Sequence, residues 1–228
     1  MKIMYIKLDK LASKGETANT VIRLMMACND LTLTNSCLGR YIDENNMKNK
    51  YLNDGACMYF VRLQIGHLHE GLKVIKEISD NKQLNNFVNS CSRDSQAAFK
   101  RLCRYIPSGA KRSDFDKYFG RIRHNLVFHY HESGQWIEKA LSERINIKKQ
   151  ISSPVDLDEV SKTRYELADQ IMDSIVCRNL FEIPYSVDLI KNREPLDKIL
   201  DLGAGIARDF VGFGGEFIHN FIERELSI

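Results

Sequence analysis

The chain has 228 residues, of which 43% are hydrophobic and 28% are charged, and its formal net charge is +3. This composition excludes an intrinsically disordered chain, and the length is ample for a buried core. The net charge is too small to indicate nucleic-acid binding by itself. No uninterrupted apolar run approaches the roughly 20 residues that cross a bilayer, so we expect no membrane partner.

The cysteines and the N-terminal residues indicate the compartment. The chain has six cysteines, and none forms a Cys-x-x-Cys pair. The first ten residues contain neither the apolar centre nor the cleavage site of a signal peptide. We therefore expect a reduced, cytoplasmic protein with buried thiols that form no disulfides.

Apolar spacings of three and four residues predict four helices in the first half of the chain. They cover residues 17–42, 46–80, 83–91 and 94–105. The second is the longest, and its apolar positions are Leu52, Ala56, Tyr59, Phe60, Leu63, Ile65, Leu68, Leu72 and Ile75. A turn at Pro107-Ser108-Gly109 separates these helices from the rest.

The next helix is predicted to begin at Ser113, with Asp116 completing a variant of the capping box. It ends at Ser133-Gly134. Its apolar stripe recurs at spacings of four, three, four and three, and consists of Phe115, Phe119, Ile122, Leu126 and His129. The stripe places His129 on the buried side, with Arg123 one step, about 100°, around the helix from Ile122.

Three further helical segments complete the predicted fold. One covers residues 135–148, another runs from Ser153 to about Asn179 with Leu167, Ile171 and Ile175 inward, and the last begins at Pro195. No segment has the period of two that indicates a strand. We predict an all-α antiparallel helical bundle with appended C-terminal helices.

The domain prediction follows from this order of elements. We expect a single domain over residues 1–228, with a core over about 46–180. A C-terminal helical extension over about 195–226 completes it.

Positive charge is concentrated around the middle of the chain. Between Arg93 and Arg123, nine Lys or Arg stand against three Asp, so this window carries +6 and the rest carries −3. A phosphate backbone would be attracted to such a window, although a solvated face of two helices explains the charges equally well. The candidate RNA-binding residues are Lys100, Arg101, Arg104, Lys111, Arg112 and Arg121.

The same window leads into the segment Arg-His-Asn-Leu-Val-Phe-His, residues 123–129. Cleavage of RNA can use its own 2′-hydroxyl as nucleophile if one group transfers protons and another stabilises the charge on the phosphate. The imidazole of His129 suits proton transfer because its ordinary pKa lies near neutrality. The planar guanidinium of Arg123 suits the phosphate oxygens. These two residues are the predicted catalytic pair.

The segment resembles the Arg-x(4–6)-His motif of the HEPN superfamily, and Arg-His-Asn-Leu-Val-Phe-His-Tyr is similar to the motif of HEPN-like abortive-infection and toxin proteins. The resemblance implies a metal-independent endoribonuclease that acts on single-stranded RNA without a cofactor. It assigns phosphate binding to Arg123 and acid–base chemistry to His129. The polar neighbours have supporting roles: His124, Asn125, Tyr130 and His131.

The resemblance also implies partners. A homodimer would bring two Arg and two His together across a two-fold axis. A toxin–antitoxin or phage-defence role would imply an antitoxin or regulatory protein.

Two alternatives to a ribonuclease stay open. The chain could be a catalytically inactive binding or assembly module, in which Arg123 and His129 have structural roles. It could also bind RNA without cleaving it, with an affinity that falls steeply with salt.

Two other patterns are assigned no function. Asp201–Gly205 is similar to a methyltransferase loop, but its flanks have helical period, and glycines here would instead allow close helix packing or a bend. His67 and His69 would point in nearly opposite directions on a helix and so could not readily share a metal. We expect one of the two to be exposed and the other to lie at an interface, and no metal site.

Overall fold

The computed structural model describes residues 6–42, 50–120, 134–147, 166–184 and 192–226. Every regular element in these ranges is helical, and no strand occurs in them. The predicted all-α fold is therefore confirmed, whereas the antiparallel arrangement of a bundle stays a prediction.

Nine α-helices lie in the described ranges. The first five are α1 (Leu8–Ser13), α2 (Glu16–Ile42), α3 (Lys50–Asp80), α4 (Lys82–Val88) and α5 (Arg93–Leu102). The other four are α6 (Arg112–Phe115), α7 (Gly134–Ile147), α8 (Glu166–Ser174) and α9 (Glu194–Phe221). Helices α6, α8 and α9 each continue into a π-helical turn, at Asp116–Gly120, Ile175–Leu180 and Ile222–Leu226 respectively.

The chain divides into two compact units. Unit 1 comprises Met1–Leu33, His67–Phe115 and Leu202–Ile228, and unit 2 comprises Thr34–Gly66 and Asp116–Asp201. The predicted single domain, with its core over about 46–180, stays a prediction.

The core of unit 1 forms around α9, whose phenylalanines recur at helical spacing. Phe210, Phe213 and Phe217 are fully buried. The ring of Phe213 lies 4.8 Å from that of Phe99 in α5, and Phe217 meets Phe87 of α4 edge-on at 5.3 Å between ring centroids. The C-terminal helix, predicted as an appended element, thus supplies the centre of this core.

Two glycines let the helices of unit 1 approach one another closely. A Cβ on Gly71 of α3 would lie 2.7 Å from the ring of Phe210, and a Cβ on Gly214 of α9 would overlap the Cys28 sulfur of α2. The α9 glycines were expected to allow close packing or a bend. Gly205, Gly212 and Gly215 have open space beside them, since a Cβ there would meet nothing within 4 Å. Asp201–Gly205 lies inside α9, in agreement with the rejection of a methyltransferase loop.

Unit 2 has its own aromatic and aliphatic core. Phe119 meets Phe181 edge-on, with 6.4 Å between ring centroids, and both side chains are buried. Tyr41 stacks on Phe60 at 5.6 Å. Helices α7 and α8 pack together, and Ala140 of α7 is fully buried.

All six cysteines are without disulfides, as expected. Cys28, Cys91 and Cys177 are buried, and the other three are half-buried. Burial raises the pKa of the Cys28 and Cys177 thiols to about 12, so both are protonated and unreactive at neutral pH. Among the described helices, none is long and apolar enough to cross a membrane.

Candidate functional site

The predicted catalytic pair, Arg123 and His129, lies outside the described residues. The same holds for the five other candidates nearby: Arg121, His124, Asn125, Tyr130 and His131. What the structure does describe is the segment that leads into the motif, together with five of the candidate RNA-binding side chains. These residues form the described part of the candidate site.

A tight turn after α5 fixes the start of the segment. The Lys111 backbone N–H donates to the Arg104 carbonyl at 2.7 Å, and the Gly109 N–H donates to the Ile106 carbonyl at 2.8 Å. A Cβ at Gly109 would overlap the Arg104 carbonyl, so only glycine fits there.

Helix α6 then begins at Arg112, where the Phe115 N–H donates to the Lys111 carbonyl. The prediction that Ser113 is the N-cap is wrong by two residues, because the turn, rather than a serine side chain, sets the first helical hydrogen bond.

The segment changes its helical geometry before it reaches the motif. Residues Asp116–Gly120 form a π-helical turn, in which each hydrogen bond spans one residue more than in an α-helix. Phe115 and Phe119 are both buried, as predicted. The predicted phase of His129 relative to Phe115 assumes α-helical geometry throughout, which residues 116–120 do not have. His129 itself lies outside the described residues.

A buried histidine lies against the first turn of α6. His69 of α3 is only 4% exposed, and its ring meets Phe115 edge-on at 4.9 Å between centroids. The Arg112 guanidinium lies over the Phe115 ring at 5.1 Å, donates to the Tyr105 carbonyl at 3.2 Å and approaches His69 Nδ1 at 3.5 Å. Arg112 therefore joins α3, the turn and α6, and its charge is engaged within unit 1.

The two histidines of α3 have separate environments, as predicted. His67 is part-exposed and its Nδ1 lies 3.5 Å from an Asp30 carboxylate oxygen, whereas His69 is buried. In the described part of the chain, no three His, Cys, Asp or Glu side chains are placed to hold a metal ion.

The five described candidate RNA-binding residues fall into two groups. Arg101 is held by Asp209 of α9 through two hydrogen bonds, at 2.8 and 2.7 Å, and these bonds raise the pKa of its guanidinium. Arg112 is held by the His69 and Phe115 contacts. Lys100 and Arg104 are exposed, Lys111 is half-buried, and the three form no ion pair with any described residue.

A cluster that the sequence did not indicate lies at the other end of α5. The Glu216 carboxylate of α9 accepts hydrogen bonds from the Ser92 backbone N–H, the Ser92 hydroxyl and the Ser95 hydroxyl. The hydrogen bonds from Ser95 and Ser92 lower the pKa of Glu216. The Ser92-x-x-Ser95 pattern is visible in the sequence, but Glu216 lies more than 120 residues away and no local signal connects them.

Comparisons with known proteins add no relative. No protein-family model, curated protein or solved structure matches the chain.

Proposed function

We propose that the chain is a metal-independent endoribonuclease of the HEPN type that cleaves single-stranded RNA, with Arg123 and His129 as its catalytic residues. The observation that carries the proposal is the motif Arg-His-Asn-Leu-Val-Phe-His at residues 123–129. The all-α fold of the described residues supports it, because the motif family is all-α. The exposed cations Lys100 and Arg104, which precede the motif in the sequence, support an anionic substrate.

The proposed reaction needs two protein groups. His129 transfers a proton, either from the 2′-hydroxyl that attacks the phosphorus or to the 5′-oxygen that leaves. Arg123 stabilises the additional negative charge on the phosphate oxygens in the transition state. His124, Asn125, Tyr130 and His131 have supporting roles, orienting the pair or contacting the RNA.

A homodimer is part of the proposal. One Arg and one His are a small set for catalysis, and a two-fold axis beside the motif would double it. The function proposed for this dimer is that of a cytoplasmic toxin or phage-defence effector, controlled by an antitoxin or regulatory protein.

The reaction is tested by incubating the protein with a labelled single-stranded RNA in excess chelator. We expect cleavage that leaves a 2′,3′-cyclic phosphate and a 5′-hydroxyl, since the nucleophile belongs to the RNA. A matched oligonucleotide with 2′-deoxy sugars should not be cleaved. Cleavage that stops on adding chelator, or that also occurs in the deoxy oligonucleotide, would contradict the proposed reaction.

A second candidate is a catalytically inactive binding or assembly module. The observation that favours it is the use of Arg101 and Arg112, both in the basic window, for contacts within unit 1. Arginines here can thus serve the fold. If Arg123 and His129 do the same, His129→Ala should lower the melting temperature in a protein that has no RNA-cleaving activity.

A further inference from the structure

Helix α5 carries two adjacent rows of charged side chains with different surroundings. Its buried side consists of Ser95, Ala98, Phe99 and Leu102. At about 100° per residue, Arg93 and Lys100 lie on the side opposite to these residues, and both are exposed. Asp94 and Arg101 form the second row, one step around the helix.

The second row is neutralised within unit 1. Arg101 pairs with Asp209 in a bidentate arrangement, and Asp94 is a further acid on its side of the helix. An incoming anion would therefore meet a guanidinium whose charge is already paired with a carboxylate. Arg101 is therefore a structural residue that links α5 to α9.

The first row continues into the turn after the helix. Arg104 follows Lys100 by four residues. The hydrogen bond from the Lys111 N–H to the Arg104 carbonyl keeps Lys111 adjacent to Arg104. Arg93, Lys100, Arg104 and Lys111 form no ion pair with any described residue. We name these four residues the α5 basic surface.

One of these charges lies where the helix dipole disfavours it. Arg93 is the first residue of α5, after the N-cap Ser92. A positive charge at a helix N-terminus is unfavourable, because the helix dipole is positive there. Lys100, in the last turn, interacts favourably with the dipole, so its charge can stabilise the helix. The charge of Arg93 cannot do so and is therefore the better indication of a bound anion.

An aromatic side chain lies within the turn. Tyr105 is half-buried and directly follows Arg104. Cations interleaved with an aromatic ring are the combination that binds single strands, in which bases are available for stacking.

We propose that the α5 basic surface binds the phosphate backbone of single-stranded RNA and holds the substrate of the proposed ribonuclease. This inference rests on the proposed function, since RNA is the polyanion that this function supplies. It differs from the sequence prediction in the residues involved: Arg93 is added, Arg101 and Arg112 are removed, and Arg121 lies outside the described residues.

The test measures the binding of a labelled single-stranded 2′-O-methyl RNA, which lacks the nucleophile, over a series of salt concentrations. The first variant combines Lys100→Gln, Arg104→Gln and Lys111→Gln. The matched control combines Lys73→Gln, Lys82→Gln and Lys198→Gln, which removes the same charge from exposed sites elsewhere. We expect the first variant to bind RNA at least about tenfold more weakly than the wild type. The slope of the logarithm of its binding constant against the logarithm of the salt concentration should be smaller by about 2, whereas the control should retain the wild-type slope.

Arg93→Gln gives an independent variant. It should weaken RNA binding without lowering the melting temperature, because it removes a charge that opposes the helix dipole. If Arg93→Gln weakens RNA binding and also lowers the melting temperature, Arg93 instead stabilises the folded protein.

The outcomes separate this inference from the proposed function. If both triple variants weaken RNA binding equally, or if the first variant binds RNA as the wild type does, the RNA-binding role of the α5 basic surface is wrong. The proposed cleavage reaction would not be affected by that result. If RNA binding depends on this surface but the protein cleaves no RNA in chelator, the proposed ribonuclease function is wrong and the RNA-binding role of the surface stands. If the protein binds duplex RNA as tightly as single-stranded RNA, or binds no RNA at all, the α5 basic surface is not a binding site for single-stranded RNA.

Discussion

Glu216 shows how one side chain can fix the start of a helix. Its carboxylate accepts three hydrogen bonds from Ser92 and Ser95 at the N-terminus of α5, where negative charge is favourable. The lowered pKa of Glu216 records this preference for the charged form. The contact joins α5 to α9, next to the proposed RNA-binding surface.

We predict that Glu216→Gln lowers the free energy of unfolding by about 1 kcal/mol at neutral pH, less than for a buried charged hydrogen bond because solvent screens this carboxylate. Because the pKa of Glu216 is lower in the folded than in the unfolded chain, its contribution is fully present above the ordinary value of 4.5. The contribution disappears as the pH falls through the folded-state pKa. Urea unfolding of both proteins across this range measures the difference.

The exposed Asp201 of α9 provides the control. Asp201→Asn should change the unfolding free energy little at any pH. An unfolding free energy of Glu216→Gln equal to that of the wild type at neutral pH would contradict the assigned role of the cluster.

At the scale of the residue, the sequence predicts the side that a residue takes on its own helix better than its contacts with distant elements. The burial of Phe115 and Phe119 follows from their helical spacing. The engagement of Arg101 by Asp209 does not follow, because residues more than 100 apart in the chain form this pair. The free thiols could be predicted because cysteine spacing excludes common metal and redox motifs.

Helices and their boundaries were predictable wherever the apolar period is regular. The predicted segment 17–42 is the described helix Glu16–Ile42, and Pro195 lies in the first turn of Glu194–Phe221. Burial was less predictable. Tyr59 and Leu167 fit the apolar spacing of their helices but are 44% and 38% exposed. A regular period places a residue on one side of a helix without determining how far the neighbouring element extends over it.

The π-helical turns could not be predicted from spacing. The sequence 115–129 has the spacing of one α-helical stripe, yet residues 116–120, which follow the buried Phe115 and include the buried Phe119, adopt π-helical geometry. Such turns are frequent at functional sites in proteins. The phase of the motif relative to Phe115 therefore does not follow from a count of residues.

The contact between α9 and α2 gives a prediction at the scale of the element. Gly214→Ala should lower the free energy of unfolding by about 1–3 kcal/mol, because the added methyl group overlaps the Cys28 sulfur in a closely packed core. Chemical denaturation of the purified variant measures the change.

Gly215 is the matched control on the same helix, since a Cβ there meets nothing within 4 Å. Gly215→Ala should raise the free energy of unfolding by about 0.5–1 kcal/mol, as alanine is the better helix former. If both substitutions stabilise the protein, α9 and α2 are not in the described contact.

At the scale of the whole molecule, the apolar periodicity predicted an all-α chain and the length predicted a buried core, and the described residues agree. The division into two compact units, each formed from separate stretches of chain, could not be predicted. Local periodicity identifies elements, but which distant elements share a core depends on long-range packing. Assembly beyond one chain is likewise not encoded in a period.

The proposed dimer is a prediction at this scale. Light scattering should give a mass twice the 26.3 kDa of the chain at concentrations where the protein cleaves RNA. On dilution, the rate per chain should fall as the dimer dissociates. A monomeric mass together with a rate per chain that is independent of concentration would exclude a shared active site.

The most direct test of the central claim is the rate of RNA cleavage in chelator by Arg123→Ala and His129→Ala. The account predicts that each substitution lowers the rate by about 100-fold or more, while Lys82→Ala, at an exposed site on α4, leaves the rate unchanged. Circular dichroism and melting temperature establish that each variant is folded. Cleavage at the wild-type rate by either folded variant would contradict the claim that Arg123 and His129 catalyse the reaction.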